Sequence, residues 1–181
     1  MTRVYCAAPP NGLIISVGPE VLKRRIVECV AVLRPLDVPS TNYKYGKVLS
    51  HSAVLCRTTK EFVMVEYMNI SKVLVNRVGC FKDKNGDLGE TFFYRNFTFH
   101  YISPPLSPKK RVTVIEFATK MVEFMKDKTF DTFTHNCHHA RYLTMKHFGM
   151  KTEDPYNIKR NVLFQGVADY FTNYSKKSVS S

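Results

Sequence analysis

The chain has 181 residues, 44% of them hydrophobic and 13% aromatic, enough to bury a real core as one ordinary domain, which excludes disorder as the native state. Its longest uninterrupted apolar run, Cys29 to Leu33, falls far short of the roughly 20 residues of a spanning helix, and Met1 to Cys6 lacks the basic-then-apolar pattern of a secretory signal. Lys plus Arg number 27 against 15 Asp plus Glu, a net +12 that attracts anionic surfaces such as phospholipid headgroups, nucleic acid or an acidic protein.

In chain order, the first segment with a clear period is Arg25 to Arg34, dense in β-branched residues and stopped by Pro35, which reads as a strand; an amphipathic helix from Glu20 is the competing reading. A polar loop runs to Leu49. Ser50 to Arg57 and Glu61 to Met68, separated by Thr58-Thr59-Lys60, form a hairpin. Ser71 to Val78 alternates as another strand, Asp83 to Asp87 is a turn by composition, and Thr91 to Ile102 is an aromatic strand. After Pro104-Pro105 the period lengthens. Ser107-Pro108 supplies an N-cap and a first-turn proline, and Ile115, Ala118, Val122 and Met125 share one helical face. A second helix begins near Asn136, carries Ala140, Leu143 and Phe148, and ends at Gly149. A third spans Asn161 to Tyr174, before a Ser/Lys-rich tail over 175–181.

Strands precede helices, so the expected fold class is α+β: a small antiparallel sheet packed with two or three helices, in one domain over 1–174. The basic residues form short, scattered clusters at Lys23-Arg24-Arg25, Lys109-Lys110-Arg111, Lys159-Arg160 and Lys176-Lys177.

Reactivity concentrates in Thr134-His135-Asn136-Cys137-His138-His139. A cysteine in the first turn of a helix meets the positive end of the helix dipole, which lowers a thiol pKa and raises the thiolate fraction. Cys137 is alone in that position; Cys29 and Cys56 fall within strands as small buried hydrophobes, and Cys6 and Cys80 lie in irregular segments. Five scattered cysteines without a CxxC pair indicate a reducing, cytoplasmic compartment, with peripheral membrane contact compatible with the charge. A thiolate nucleophile needs an imidazole and a group to orient it. His51 opens the first hairpin strand; if Cys56 pairs with Glu61, Glu66 stands directly opposite His51, Met64 opposite Ala53 and Phe62 opposite Leu55. Cys137, His51 and Glu66 are therefore the expected nucleophile, base and orienting carboxylate. His135, Cys137, His138 and His139 crowd four ligand types into five residues and cannot surround a tetrahedral ion alone, so neither metal nor cofactor is expected. His100 and His147 read as structural or surface residues.

His51-Ser52-Ala53-Val54 on a strand, then a helix, then Asn136-Cys137-His138-His139, resembles the lecithin:retinol acyltransferase-like proteins, with their His-x-Ala-[Ile/Val] box followed by Asn-Cys-x-His. These are circularly permuted relatives of NlpC-type and papain-like enzymes. The resemblance covers roughly Ile26 to Gly149 and departs from the family at Glu66, where a second histidine is usual, and in showing no C-terminal spanning segment. It implies a permuted papain-like architecture and a cysteine-dependent hydrolase or acyltransferase working through a thioester at Cys137, with His51 as base. The substrate that the resemblance implies is a phospholipid ester or, as in the sister group of permuted papain-fold peptidases, an isopeptide on an acylated or ubiquitin-like protein. Picornaviral His-box/Asn-Cys proteins are also similar, and Val162 to Gly166 resembles a picornaviral-type cleavage sequence at Gln165-Gly166, although the helix from Asn161 to Tyr174 accounts for these residues equally well. The alternative is a catalytically silent binding module of the same fold, holding an acidic protein, a membrane or nucleic acid.

Overall fold

The structure is a computed structural model that describes residues 11–35, 50–79, 91–95, 97–128 and 136–152. Its period-two segments become the strands β1 (Leu13–Ser16), β2 (Ile26–Pro35), β3 (Ser50–Thr58), β4 (Phe62–Met68), β5 (Lys72–Val78), β6 (Thr91–Tyr94) and β7 (Phe97–Tyr101). They form one seven-stranded sheet in the order β1-β5-β4-β3-β2-β7-β6. A one-turn helix, α1 (Pro19–Leu22), and two longer ones, α2 (Val114–Met125) and α3 (Cys137–His147), complete the α+β arrangement.

The sheet is mixed, which corrects the antiparallel expectation. β1 runs parallel to β5, Leu13 beside Val73, while the other neighbours are antiparallel. Four residues are too few for alternation to reveal β1, and its partner lies far downstream. The aromatic segment Thr91 to Ile102 is likewise two strands, reversing at Arg95, whose φ of 50° is left-handed. Alternation continues along both arms of such a reversal, so the period alone does not show it.

The helix after the prolines starts later than Ser107-Pro108. Leu106 is held by Cys29 in two backbone bonds of 2.8 and 2.9 Å, and these sheet-like partners keep the proline segment extended. α2 starts instead at Thr113, whose hydroxyl accepts the Glu116 N–H at 3.4 Å while Glu116 Oε2 accepts the Thr113 N–H at 2.7 Å, a capping box. Its buried face is Val114, Phe117, Ala118, Met121 and Met125, with Ile115 and Val122 only half-buried. α3 opens and closes where expected, capped by Asn136 and followed by Gly149 at φ 77°.

Two cores result. Between sheet and helices lie Ala31, Val54, Val65, Val75, Phe117 and Met145; the opposite face collects Val32, Leu55, Met64 and Phe99. Cys29 and Cys56 face each other in the first core as buried free thiols with sulfurs 3.7 Å apart. The expected turn at Asp83, the helix from Asn161, the tail, Cys6, Cys80 and His135 lie outside the described residues.

Phe117 is fully buried where α2 meets the sheet. Phe117→Ala should therefore cost about 3–5 kcal/mol, read from chemical denaturation midpoints; a loss under about 1 kcal/mol would mean that this side chain does not hold α2 in place.

Candidate active site

The site begins with a hairpin that stops pairing early. Thr58 N–H bonds the Glu61 carbonyl at 2.8 Å around Thr59-Lys60, and Thr58 Oγ1 accepts the Lys60 and Glu61 N–H groups at 3.2 and 3.1 Å. This tight turn sets Arg57 opposite Phe62 and Leu55 opposite Met64, and the β3–β4 ladder ends at Val54 and Val65. Beyond that point β3 stays paired to β2 as far as Ser50, and β4 to β5 as far as Met68, so the two strands part. The expected register is corrected by two residues: Met64 faces Leu55 rather than Ala53, and Glu66 has no ladder partner on β3. A two-residue shift preserves the side-chain face, so His51 and Glu66 still look the same way, and their side chains meet across the parting.

Bonding positions in an antiparallel ladder alternate by two. Counting from Thr58, the next amide due a β4 carbonyl is that of Ser52. It meets the Cys137 sulfur instead, at 3.4 Å. The nucleophile candidate thus occupies the place of a missing ladder acceptor.

Cys137 is the first residue of α3 because Asn136 caps it. Asn136 Oδ1 accepts the His138 and His139 N–H groups at 2.9 and 3.4 Å. In return, His139 Nδ1 accepts the Asn136 N–H at 3.4 Å. The reciprocal box pins the turn that aims the thiol at β3.

His51 Nε2 is 2.8 Å from Glu66 Oε2, so the ring's other nitrogen, Nδ1, is the one left to serve the thiol. His51 and Cys137 are each 6% exposed and Glu66 is 4% exposed. Burial alone would drive the imidazole pKa down, but its hydrogen bonds to Cys137 and Glu66, together with their charges, outweigh burial and push it up from 6.5 to about 9. For the thiol, burial pushes up; the hydrogen bond to His51 and its charge, then the backbone N–H groups of Ser52 and of Cys137 itself, prevail and hold it below the ordinary 9.0. Opposite shifts of this kind describe a thiolate–imidazolium pair. The structure thus brings the three expected residues together: Glu66 bonds His51, and His51 bonds Cys137.

Two contributors were not read from the sequence. Ser52 acts through its backbone amide, which no side-chain pattern announces. Arg95, from the β6–β7 reversal, donates from Nη2 to Asn76 Oδ1 at 2.9 Å and holds Nη1 3.9 Å from Glu66 Oε1; reading Thr91 to Ile102 as one strand hid it. His147 packs edge-on against Phe124 and Phe148 at the end of α3, a structural place, and His100 lies in β7 opposite Thr91. Among the described residues no cluster of three His, Cys, Asp or Glu side chains is placed to hold a metal ion.

Comparisons of the chain with protein-family models, with curated proteins and with solved structures found no match.

The lowered thiol and raised imidazole give a direct test. Iodoacetamide should alkylate Cys137 with a midpoint below pH 9.0, and His51→Ala should return the midpoint toward the ordinary value. In parallel, the His51 ring should titrate near pH 9 by NMR, and Glu66→Gln should move it down by removing the charge that favours the imidazolium. An unshifted thiol midpoint in wild-type protein would remove the ion pair.

Proposed function

We propose that the chain is a cysteine-dependent hydrolase or acyltransferase acting through a thioester on Cys137. What carries this reading is the position of His51, between a carboxylate oxygen at 2.8 Å and a thiol whose pKa it lowers. The Cys137 sulfur attacks an ester or amide carbonyl. Asn136 takes the His138 and His139 amides, so the developing oxyanion is met by the N–H of Cys137 and by that of Ser52, which the parted ladder turns toward the sulfur. The His51 imidazolium then gives its proton to the departing alkoxide or amine, leaving a thioester and a neutral ring. Water, or a second acceptor in acyl transfer, loses its proton to His51 as it attacks the thioester, and the thiolate leaves. Glu66 fixes the ring's tautomer and balances its charge.

The order of elements supports a circularly permuted, NlpC-type papain-like architecture: the base lies on β3, ahead of a nucleophile at the start of α3, as in the lecithin:retinol acyltransferase-like proteins that the His51 and Asn136-Cys137 boxes resemble. On this reading the substrate is a phospholipid ester or an acyl or isopeptide bond on a protein, met at a basic surface, in a reducing compartment that keeps Cys137 a thiol. No helix among the described residues is long and apolar enough to cross a membrane.

Hydrolysis of an activated thioester tests the assignment, with a short-chain phospholipid and a ubiquitin-like fusion as further substrates. Cys137→Ser and His51→Ala should fall to near background, a loss of about 10²-fold or more, and Glu66→Gln should fall between them and wild type. Activity should decline above about pH 9, where His51 loses the proton that the leaving group needs. Wild-type turnover by Cys137→Ser would overturn the proposal.

A further inference from the structure

Two of the basic clusters that the sequence scatters are brought toward one corner by the fold. Ile26 N–H bonds the Val112 carbonyl at 2.9 Å and Val114 N–H bonds the Arg24 carbonyl at 3.1 Å, with Arg25 bridged to Thr113. In this antiparallel pairing Arg25 stands opposite Thr113, with Arg111, Lys110 and Lys109 following along the neighbouring segment, while Arg24 and Lys23 lead the other way past Val114. On the other side Lys109 N–H bonds the Phe148 carbonyl at 2.9 Å, and the Lys109 stem lies against Gly149. That contact adds the end of α3, with Lys146, and Lys151 just beyond it. A groove of about 360 Å³ lies here, lined by Lys110, Arg111, Ile115, Lys120, His147 and Phe148 among others.

Three of the neighbouring acids are already engaged. Glu116 closes the Thr113 capping box and has Arg111 near it, Glu123 pairs with Lys120, and Glu61 pairs with Arg24. Lys23, Arg25, Lys109, Lys110, Lys146 and Lys151 are exposed, and none forms an ion pair among the described residues. Their mutual repulsion is a standing cost that a polyanion relieves.

The kind of polyanion follows from what the corner lacks. A surface that lies on a membrane buries apolar side chains beneath the headgroups, whereas among the described residues the exposed large hydrophobics, Ile14 at 40% and Ile70 at 60%, lie on β1 and in the β4–β5 turn. We propose that this corner binds the phosphodiester backbone of nucleic acid without reading its sequence. The site is separate from the thiol: Lys146 and Cys137 sit near opposite ends of α3, roughly 14 Å apart along its axis.

Anisotropy of a fluorescent mixed-sequence single-stranded oligonucleotide, titrated with the full chain over a range of salt concentrations, tests the proposal. At about 0.7 counterions per contact, six cations should give a log–log salt slope near −4. Reversing Arg25, Lys109 and Lys110 to Glu should weaken binding at least about tenfold and flatten the slope by about 2, with Cys137 alkylation unchanged. If that variant does not fold, Lys146→Glu with Lys151→Glu, across the corner, should show a proportionate loss. A slope shallower than about −1, undiminished binding by a folded reversal variant, or capture by phosphatidylserine-containing vesicles with no binding of the oligonucleotide would overturn the proposal. Inactive but oligonucleotide-binding protein would count against the thiol chemistry alone.

Discussion

Everything at the site depends on where β3 stops bonding to β4. Each amide taken out of water needs an acceptor, and a ladder that ends inside the protein leaves the next one in want of it. Here the orphan is the Ser52 N–H, and the acceptor is sulfur. Sulfur is a weak acceptor as a thiol and a much better one as a thiolate, so the end of the ladder and the charge state of Cys137 support each other. The parting also makes room for His51 and Glu66 to reach one another from strands that no longer exchange backbone bonds.

Ions this deeply buried are stable only as a set. Cys137, His51 and Glu66 are all at most 6% exposed, and removing one leaves the others as uncompensated buried charge. The positive end of α3 favours the sulfur's charge, while Arg95, tied to Asn76, faces the outer oxygen of Glu66. Helix, hairpin and reversal each supply one contact to the group, so the chemistry rests on three elements distant in sequence.

Residue chemistry and local period were enough to find the parts, but not all of their joints. Cys137 was legible because Asn136 is a strong cap and Gly149 a strong stop, signals carried by single residues. His51 and Glu66 were legible as partners because a histidine and a glutamate are both out of place in an apolar hairpin. Their register was not, since Thr58 tightens the turn through its side chain, and a turn of different length fits the same apolar strips. β1 depends on a partner far along the chain, and the proline segment before α2 is held extended by Cys29. Both are tertiary effects that a local period does not contain. The basic corner was invisible for the same reason, its clusters being neighbours only through backbone bonds to Ile26 and Phe148.

The two-residue turn at Thr59-Lys60 has a consequence for variation. A slide of β4 along β3 by a pair of residues returns Glu66 to the same side of the sheet as His51. A slide by one residue instead turns Val65 toward the imidazole and Glu66 into the core beneath the helices. Register change at this turn is therefore compatible with the site in even steps and incompatible in odd ones, a parity rule imposed by the pleat.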